Sequence, residues 1–344
     1  MLVAYLVAPR QIELRDDVVP QPQPGGVIVR VRVALTDGTD LKAFRRGHPR
    51  MPMPTRFGHE FSGEVAAIGD GVAAFRVGDP IACVHSAPCG ECFWCRHAEE
   101  ELCESVMPTM ILGAYAQFIA VPANIVARNA FPKPKNLTYE AAAFLEPLSC
   151  VVHSLDTLAP QSGAALLVIG DGAFGILHGA VAQRRYGCSV ILAGRHTERL
   201  QIAREFGIDR VIDVRNSNDE ALLAAVLERT EGRGADGVIE CTGTEAVWSN
   251  ATRFVRRGGT VVLFGGLPPN ARPAFDAFRL HYDEVKLVSP FHFTPRAVRV
   301  AYEMLTAEHI DVTRLISGRY SLSDVSLAFA ELERGHGLKY AIVP

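Results

Sequence analysis

The chain has 344 residues, 48% of them hydrophobic, and a formal net charge of −3 from 35 basic and 38 acidic residues. A chain of this length predicts about two domains, and its balanced charge gives no reason to expect a nucleic acid or a membrane surface as a partner. It contains no run of about 18 apolar residues, as a transmembrane helix requires, and no recognisable signal peptide, so a cytoplasmic location is expected.

Residues 1–149 predict short strands separated by turns. Residues 1–9 are apolar and predict an opening strand. In residues 27–35 a valine or leucine stands at every second position, which is mostly the period of a half-buried strand. Turn-forming residues punctuate this part of the chain, at Pro52, Pro54, Gly63, Gly69, Gly71, Gly78, Pro80 and Pro88. We therefore expect a mostly β domain here.

From about residue 163 the pattern becomes strand, glycine-rich turn and helix, repeated. Residues 164–169 form an apolar run typical of a strand buried on both faces. Further strands are predicted at 189–193, 237–240 and 260–264, and helices at 176–185, 198–206 and 220–228. This alternation predicts a parallel sheet covered by helices.

Mixed structure returns after about residue 289, where Thr294 and Pro295 predict the start of a helix. The sequence thus predicts an α/β protein. A nucleotide domain, residues 150–288, is inserted into a mostly β domain formed by residues 1–149 and 289–344.

Four of the eight cysteines crowd into residues 89–103, at Cys89, Cys92, Cys95 and Cys103. Zinc binds four ligands at tetrahedral corners and favours thiolate. A disulfide or redox pair is the alternative, but the absence of an export signal and the crowding favour a metal. Four thiolates leave no open position, so this zinc is predicted to be structural. Inert core thiols are expected at Cys83, Cys150, Cys188 and Cys241.

A G-x-G-x-x-G motif begins at Gly170, directly after one predicted strand and before a predicted helix. This context is typical of a dinucleotide-binding turn, in which glycines let the backbone approach the pyrophosphate at a helix N-terminus. An ordinary glycine turn of an α/β protein is the alternative. The predicted cofactor-binding residues of this turn are Gly170, Gly172, Phe174 and Gly175.

The next predicted strand ends at Gly194 and Arg195, where an NAD-dependent enzyme usually carries an acidic residue for the ribose hydroxyls. Glycine leaves room there, and Arg195 could pair with a 2′-phosphate, assisted by Arg199. Solvated surface arginines are the alternative. The pattern favours NADP over NAD. Three further residues end later strands at the carboxyl edge of the sheet, where ligands bind, and are predicted to contact the cofactor: Thr242, Phe264 and Gly265.

Taken together, the motifs resemble those of the zinc-containing medium-chain dehydrogenases, a family that includes alcohol, sorbitol, threonine and glucose dehydrogenases. The resemblance covers essentially the whole chain and implies a GroES-like, mostly β catalytic domain, a Rossmann nucleotide domain and a homodimer or homotetramer. Besides the cysteine lobe and the glycine turn, it rests on Asp37-Gly38-Thr39-Asp40, Gly58-His59-Glu60, Gly63, Val77-Gly78-Asp79 and Glu146-Pro147-Leu148.

In that family a catalytic zinc binds a cysteine, the histidine of G-H-E and a third residue before the nucleotide domain. His59 matches the histidine, and Glu146 matches the third ligand of the sorbitol- and glucose-dehydrogenase-like branch. Asp37 stands where the family has its cysteine. Carboxylate is a harder ligand than thiolate, so weaker zinc binding is expected. The alternative is that Asp37 is a polar strand-end residue at a site without metal.

The resemblance also implies roles for other residues. A bound metal would act as a Lewis acid on the substrate oxygen. Glu60 would exchange as a ligand near the metal, and Thr39 would relay the substrate proton. Phe291 and His292 would line the cofactor cleft, with His292 contacting a hydroxylated substrate or capping the next helix. A solvent-facing position is expected for Lys42 and a structural role for Asp40.

The implied function is a zinc-dependent, NADP-preferring dehydrogenase that acts on a secondary alcohol of a polyol, sugar or cyclitol. Two alternatives stay open. One is an enone or quinone reductase without a catalytic metal, and the other is a non-enzymatic nicotinamide-binding protein with a structural zinc.

Overall fold

The computed structural model describes residues 1–48, 51–216 and 218–344, and the chain divides into two compact units. The first unit comprises Met1–Ser149 and Phe293–Pro344, and the second comprises Cys150–His292. The sequence placed the second boundary at 288/289, whereas the structure places it after residue 292. Within the described ranges, no helix has the length and apolarity needed to cross a bilayer.

Strands make up much of both units. In chain order they are β1 (Leu2–Ala8), β2 (Gln11–Asp16), β3 (Val27–Leu35), β4 (Thr55–Arg56), β5 (Glu60–Ile68), β6 (Pro80–Cys83), β7 (Phe118–Val121), β8 (Ala130–Pro132), β9 (Ala165–Ile169), β10 (Ser189–Gly194), β11 (Arg210–Asp213), β12 (Ala235–Glu240), β13 (Val255–Leu263), β14 (Lys286–Val288), β15 (Ile316–Ser321) and β16 (Lys339–Val343).

The α-helices are α1 (Gly38–Arg46), α2 (Phe93–Arg96), α3 (Ala123–Arg128), α4 (Tyr139–Ala143), α5 (Leu145–Leu158), α6 (Ala173–Tyr186), α7 (Thr197–Glu205), α8 (Asp219–Arg229), α9 (Glu245–Asn250), α10 (Ala277–Tyr282), α11 (Pro295–Thr306) and α12 (Val325–Glu333). Short 3-10 helices lie at Glu100–Leu102, Ala251–Arg253, Val312–Leu315 and Leu322–Asp324.

The first unit contains a sheet in the order β15-β16-β3-β5-β6-β8, with β7 also paired to β3, and a smaller sheet β2-β1-β4. Strand β3 was predicted to be half-buried, but only Arg30 and Arg32 are exposed in it. The alternation was an incomplete signal because Ile28 and Ala34, which share a face with the two arginines, are also buried, so both faces are covered over most of the strand.

Aromatic rings occupy the core of the first unit. The ring of Phe57 lies 5.4 Å from that of Tyr115 and 5.0 Å from that of Phe329, measured between centroids. All three side chains are almost completely buried. A buried tyrosine hydroxyl needs a hydrogen-bond partner, and that of Tyr115 donates to Asp40 at 2.7 Å. The core is thereby connected to the polar site described below.

The second unit is a six-stranded sheet in the order β11-β10-β9-β12-β13-β14. All its neighbouring strands are parallel. Counted from β9, this is the strand order 3-2-1-4-5-6 of a Rossmann fold, whose ligands bind beyond the carboxyl ends of the strands where the order reverses. In this unit that point lies between β9 and β12.

The predicted elements of the second unit are all present, with bounds shifted by a few residues. Helix α6 begins after Gly172, and its C-cap Gly187 has a φ of 66°, a left-handed conformation that glycine adopts without strain. In the first unit, Thr294 caps α11 as predicted, because its hydroxyl accepts the backbone N–H of Ala297 and Pro295 occupies the first turn.

Candidate metal centres and cofactor site

The cysteine lobe brings four sulfur atoms together around α2 and the following 3-10 helix. The Sγ atoms of Cys89 and Cys95 are 3.9 Å apart, those of Cys92 and Cys95 3.5 Å, and those of Cys89 and Cys103 3.6 Å. A tetrahedral zinc with bonds of about 2.3 Å places its sulfurs about 3.8 Å apart. A disulfide needs about 2.05 Å. The four thiols therefore have the spacing of a zinc site.

Backbone amides surround these sulfur atoms. The N–H groups of Glu91 and Cys92 donate to Cys89 Sγ, and that of Gly90 donates to Cys95 Sγ. The two bonds to Cys89 lower the pKa of its thiol to about 6. The loop thus stabilises at least one thiolate before any metal arrives, which is the form that zinc binds.

A second group of ligand atoms lies in the first unit, on Asp37, His59 and Glu60, all within 4.8 Å of one another. All three side chains are buried. Asp37 caps the N-terminus of α1, where one of its carboxylate oxygens accepts the Thr39 N–H at 2.6 Å. The other oxygen, Oδ1, is buried without a hydrogen bond. Burying a carboxylate oxygen without a hydrogen bond costs free energy, and a bound metal ion would offset that cost. The position of Oδ1 therefore fits a metal ligand.

Asp40 fixes the orientation of His59. Its Oδ1 lies 3.0 Å from His59 Nδ1, and its Oδ2 accepts the Tyr115 hydroxyl. With Nδ1 engaged, the other ring nitrogen, Nε2, faces Asp37 at 3.8 Å. This is the carboxylate–histidine arrangement that orients metal-binding imidazoles. A structural role was expected for Asp40, and the structure shows what it supports: the imidazole of the predicted ligand His59.

Charge also favours a cation at this site. Burial opposes protonation of His59, but the carboxylates of Asp40, Glu146 and Asp37 hold its pKa well above the ordinary value of 6.5. An excess of buried negative charge attracts either a proton or a metal ion. The donor set, one imidazole among carboxylates, suits a divalent metal.

Lys339 is a site residue that the sequence did not reveal. Its ammonium lies 2.7 Å from both carboxylate oxygens of Glu60, 3.0 Å from the Thr36 carbonyl and 3.6 Å from Asp37 Oδ1. Burial opposes its charge, but Glu60 and Asp37 raise the pKa of Lys339 above 10.5, so the amine stays protonated. A lysine beginning an otherwise apolar C-terminal strand was the signal available.

The third predicted ligand, Glu146, is buried near the start of α5. Its Oε1 lies 3.7 Å from Nδ1 of His85, whose ring is 4.9 Å from that of His59. Among the described residues, the compact ligand group holds Glu60 rather than Glu146. His85 was not predicted. Its only signal was a histidine in the short loop between the apolar strand β6 and the cysteine lobe.

The other predicted catalytic-site residues are placed as follows. Thr39 is half-buried on α1 beside Asp37. Phe291 and His292 end the second unit, with their rings stacked at 5.5 Å and His292 at a φ of 66°. Thr294, rather than His292, caps the following helix.

The glycine turn in the second unit fits a dinucleotide. A Cβ on Gly175 would lie 1.9 Å from the Gly170 carbonyl oxygen, so the turn closes only with glycine. A Cβ on Gly172 would meet nothing within 4 Å, and Gly172 provides no side-chain cap for α6. The open space and the uncapped N–H groups of the first helical turn form a cradle suited to a pyrophosphate.

Residues at the ends of β12 and β13 complete this edge of the sheet. Thr242, through its backbone N–H and its hydroxyl, and the Gly243 N–H donate to the buried carboxylate of Glu240. The ring of Phe264 lies 5.1 Å from that of Phe174. The predicted cofactor residues Thr242, Phe264 and Phe174 thus lie in one network around the switch point, to which the structure adds Glu240.

A Rossmann unit together with a β-rich unit that carries two groups of candidate metal ligands is the combination expected of a metal-containing, nucleotide-dependent dehydrogenase. Comparison with known proteins agrees. Residues 23–133 match the alcohol dehydrogenase GroES-like domain, and residues 173–307 match the zinc-binding dehydrogenase domain. The chain belongs to the zinc-containing medium-chain dehydrogenase family.

Two curated relatives are polyol dehydrogenases by name. The chain is 30% identical to D-arabinitol dehydrogenase 1 of Uromyces fabae, over 100% of this chain and 97% of the relative. It is 28% identical to the sorbitol dehydrogenase of Halalkalibacterium halodurans, over 94% of each. Among solved structures, the chain is similar to a protein of Sinorhizobium meliloti 1021 that is described as a zinc-binding dehydrogenase bound to NADP. The TM-score is 0.89 and the sequence identity is 27%, and the match covers 100% of this chain and 99% of that chain.

Proposed function

We propose that this protein interconverts a secondary alcohol and its carbonyl by hydride transfer to and from NADP, with a polyol, sugar or cyclitol as substrate. The observation that carries the proposal is the buried group formed by Asp37, His59 and Glu60, in which Asp40 orients the imidazole. The names of the arabinitol and sorbitol relatives support a polyol as substrate.

The catalytic metal would be held by Asp37, His59 and Glu146, with Glu60 as an exchanging ligand. When bound, the metal supplies a Lewis acid for the substrate oxygen, and NADP supplies the hydride acceptor. A metal held by oxygen-rich ligands suits a substrate that offers several neighbouring hydroxyl oxygens. The sorbitol and glucose dehydrogenases of the family are the analogy for this step.

The chain's own residues prepare this site. Asp40 holds His59 so that its Nε2 faces Asp37. Burial raises the pKa of Glu60 well above its ordinary value, and Lys339 opposes this rise by donating to both carboxylate oxygens at 2.7 Å. Thr39 lies in the first turn of α1, two residues after the predicted metal ligand Asp37. Its hydroxyl is our candidate for the group that takes the proton of the substrate hydroxyl, a role that requires a group within hydrogen-bond distance of the substrate.

Cofactor preference is also part of the proposal. Gly194 in place of an acidic residue and the nearby Arg195 and Arg199 support NADP over NAD. The NADP in the Sinorhizobium meliloti structure is consistent with this preference. The cytoplasmic location and the homodimer or homotetramer remain expectations from the sequence resemblance, and sedimentation of the purified protein measures the latter.

The test is a dehydrogenase screen over polyols, sugars, cyclitols and simple alcohols with NADP and NAD, before and after chelation and zinc addition. We expect chelator-sensitive polyol oxidation that zinc restores and that NADP supports better than NAD. T39V should lower kcat strongly, and T39S should retain most of it because it keeps the hydroxyl.

Two results would contradict the proposal. Enone or quinone reduction that survives chelation would identify a metal-free reductase. Nicotinamide binding without turnover on any alcohol or carbonyl would identify a binding protein.

A further inference from the structure

The side chain of Asp171, the second residue of the glycine turn, is bonded to the end of the neighbouring strand β10. Its Oδ2 accepts the backbone N–H groups of Arg195 at 2.6 Å and His196 at 2.7 Å. Its Oδ1 lies 3.0 Å from Nδ1 of the His196 ring. The carboxylate is buried, with 6% of the residue exposed. One acidic side chain thus holds two consecutive residues of the β10–α7 turn.

Gly194 and Asp171 are sterically complementary. A Cβ on Gly194 would lie 2.4 Å from the Cβ of Asp171 and 2.5 Å from its Oδ2. An acidic residue at position 194 is therefore excluded while Asp171 keeps this position. In NAD-dependent Rossmann units, an acid at the end of this strand accepts the ribose hydroxyls. Here a carboxylate enters the same space from the glycine turn instead.

The Asp171 carboxylate is committed to protein donors. Three hydrogen bonds from Arg195 and His196 satisfy it, and little of it is exposed to a ligand. It is therefore a poor acceptor for ribose hydroxyls, because new bonds there would have to replace existing ones.

The groups that Asp171 anchors are suited to an anion. The Arg195 side chain is exposed, and about half of the His196 side chain is exposed while its Nδ1 is held by Asp171. His196 is also the N-cap residue of the nine-residue helix α7 and makes no side-chain cap bond. A guanidinium, an imidazole and a helix N-terminus around a glycine favour a phosphate over a diol.

We propose that Asp171 is the positioning residue that sets cofactor selectivity, because it holds Arg195 and His196 in place to receive the 2′-phosphate of NADP(H). This inference rests on the NADP-dependent function proposed above. The second residue of the glycine motif would thus act at the 2′-phosphate on the adenosine ribose, whereas the glycines of the motif act at the pyrophosphate.

The test is direct binding of NADPH and NADH, each titrated into zinc-loaded protein without substrate and followed by calorimetry. D171A should weaken NADPH binding by about tenfold or more, as loss of hydrogen bonds to a charged group predicts, and NADH binding by less than about threefold. D171N is the conservative variant. Its amide oxygen can accept both N–H groups and its NH2 can donate to His196, so most NADPH affinity should return.

D209A is the matched control. Asp209 accepts the Val190 N–H at 2.9 Å, at the opposite end of β10. Its loss removes a similar carboxylate–amide bond from the same strand and should leave the ratio of the two affinities unchanged. If D171A fails to fold, G194A serves as the second variant, because its added Cβ displaces the Asp171 carboxylate and should weaken NADPH binding selectively.

The outcomes separate this inference from the proposed function. Wild-type protein that binds neither nucleotide contradicts the proposed function. Wild-type protein that prefers NADH contradicts both the NADP preference and the role of Asp171. Wild-type preference for NADPH that D171A leaves unchanged overturns the inference alone. The inference is also overturned if D171A or D171N binds NADPH more tightly than the wild type, or if both variants lose the same affinity. In either case the carboxylate would act through its charge and not through the hydrogen bonds that position Arg195 and His196.

Discussion

Replacement of Lys339 with methionine keeps the length of the side chain but removes the ammonium between Glu60 and Asp37. At an effective dielectric constant of about 20, a charge pair at 2.7 Å attracts by about 6 kcal/mol and one at 3.6 Å by about 5 kcal/mol. Desolvation of the lysine offsets much of this gross attraction. Loss of one partner of a buried pair nevertheless costs about 3–5 kcal/mol, because the remaining charge is left uncompensated.

K339M should therefore lower the free energy of unfolding by about 3–5 kcal/mol and the Tm by roughly 6–20 °C, at 2–4 °C per kcal/mol for a unit of this size. The assay is thermal and denaturant unfolding of the zinc-loaded protein. In K339M/E60Q the orphaned carboxylate becomes a neutral amide, so part of the lost stability should return.

The control is R319M, which breaks the exposed ion pair of Arg319 with Glu140 at 2.8 Å. Exposed pairs contribute about 0–1 kcal/mol, so this variant should unfold almost as the wild type does. Equal stability of K339M and R319M, or a double variant no more stable than K339M, would show that the Lys339 ammonium does not stabilise the fold by compensating Glu60.

Three further predictions follow from the described contacts. D40N should weaken metal binding at His59 by about 10–100-fold, because the group that orients the imidazole changes; competition with a chromogenic chelator measures this, and an unchanged affinity would show that Asp40 is only structural. C92S should release one zinc per chain and lower the Tm while leaving polyol specificity unaltered; retention of both metals would contradict the thiolate site. Burial lowers the pKa of His178 to about 4, below its ordinary 6.5, so its contribution to stability is complete above pH 6.5 and is lost as the pH falls toward 4, by about 2 kcal/mol at pH 5. H178Q should therefore show a smaller decrease in Tm between pH 6.5 and pH 5 than the wild type, and an identical decrease would show that this histidine does not titrate as described.

Features encoded by neighbouring residues were predictable from the sequence. The cysteine lobe needs only close spacing, and its four sulfur atoms have the separations expected of a zinc site. The glycine turn needs only a strand before it and a helix after it, and both are present as β9 and α6. Local geometry decides such motifs, so the sequence around them is sufficient.

Contacts between distant parts of the chain were not predictable. Lys339 is 279 positions from Glu60 and reaches it because β16 pairs with β3, and β3 with β5. His85 meets Glu146 through the fold and has no motif of its own. In both cases the partner lies on another element, so no local pattern reports it.

Asp171 shows a third kind of limit. The three glycines make the motif recognisable in the sequence, but the motif places no requirement on the residue between the first two glycines. Its side chain bonds to a turn 24 positions away, and the clash that a Cβ on Gly194 would cause explains why glycine ends β10. The sequence shows that this strand ends without an acid, whereas the physical reason is visible only in the structure.

We propose that the chain binds two zinc ions, one on the four thiolates of the cysteine lobe and one at His59 and the neighbouring carboxylates. The most direct measurement is the zinc content of wild type and H59A, together with zinc X-ray absorption. We expect two zinc ions per chain in the wild type and one in H59A, and the ion in H59A should be surrounded by sulfur alone at about 2.3 Å. One zinc in both proteins, with an all-sulfur environment in each, would contradict the second site.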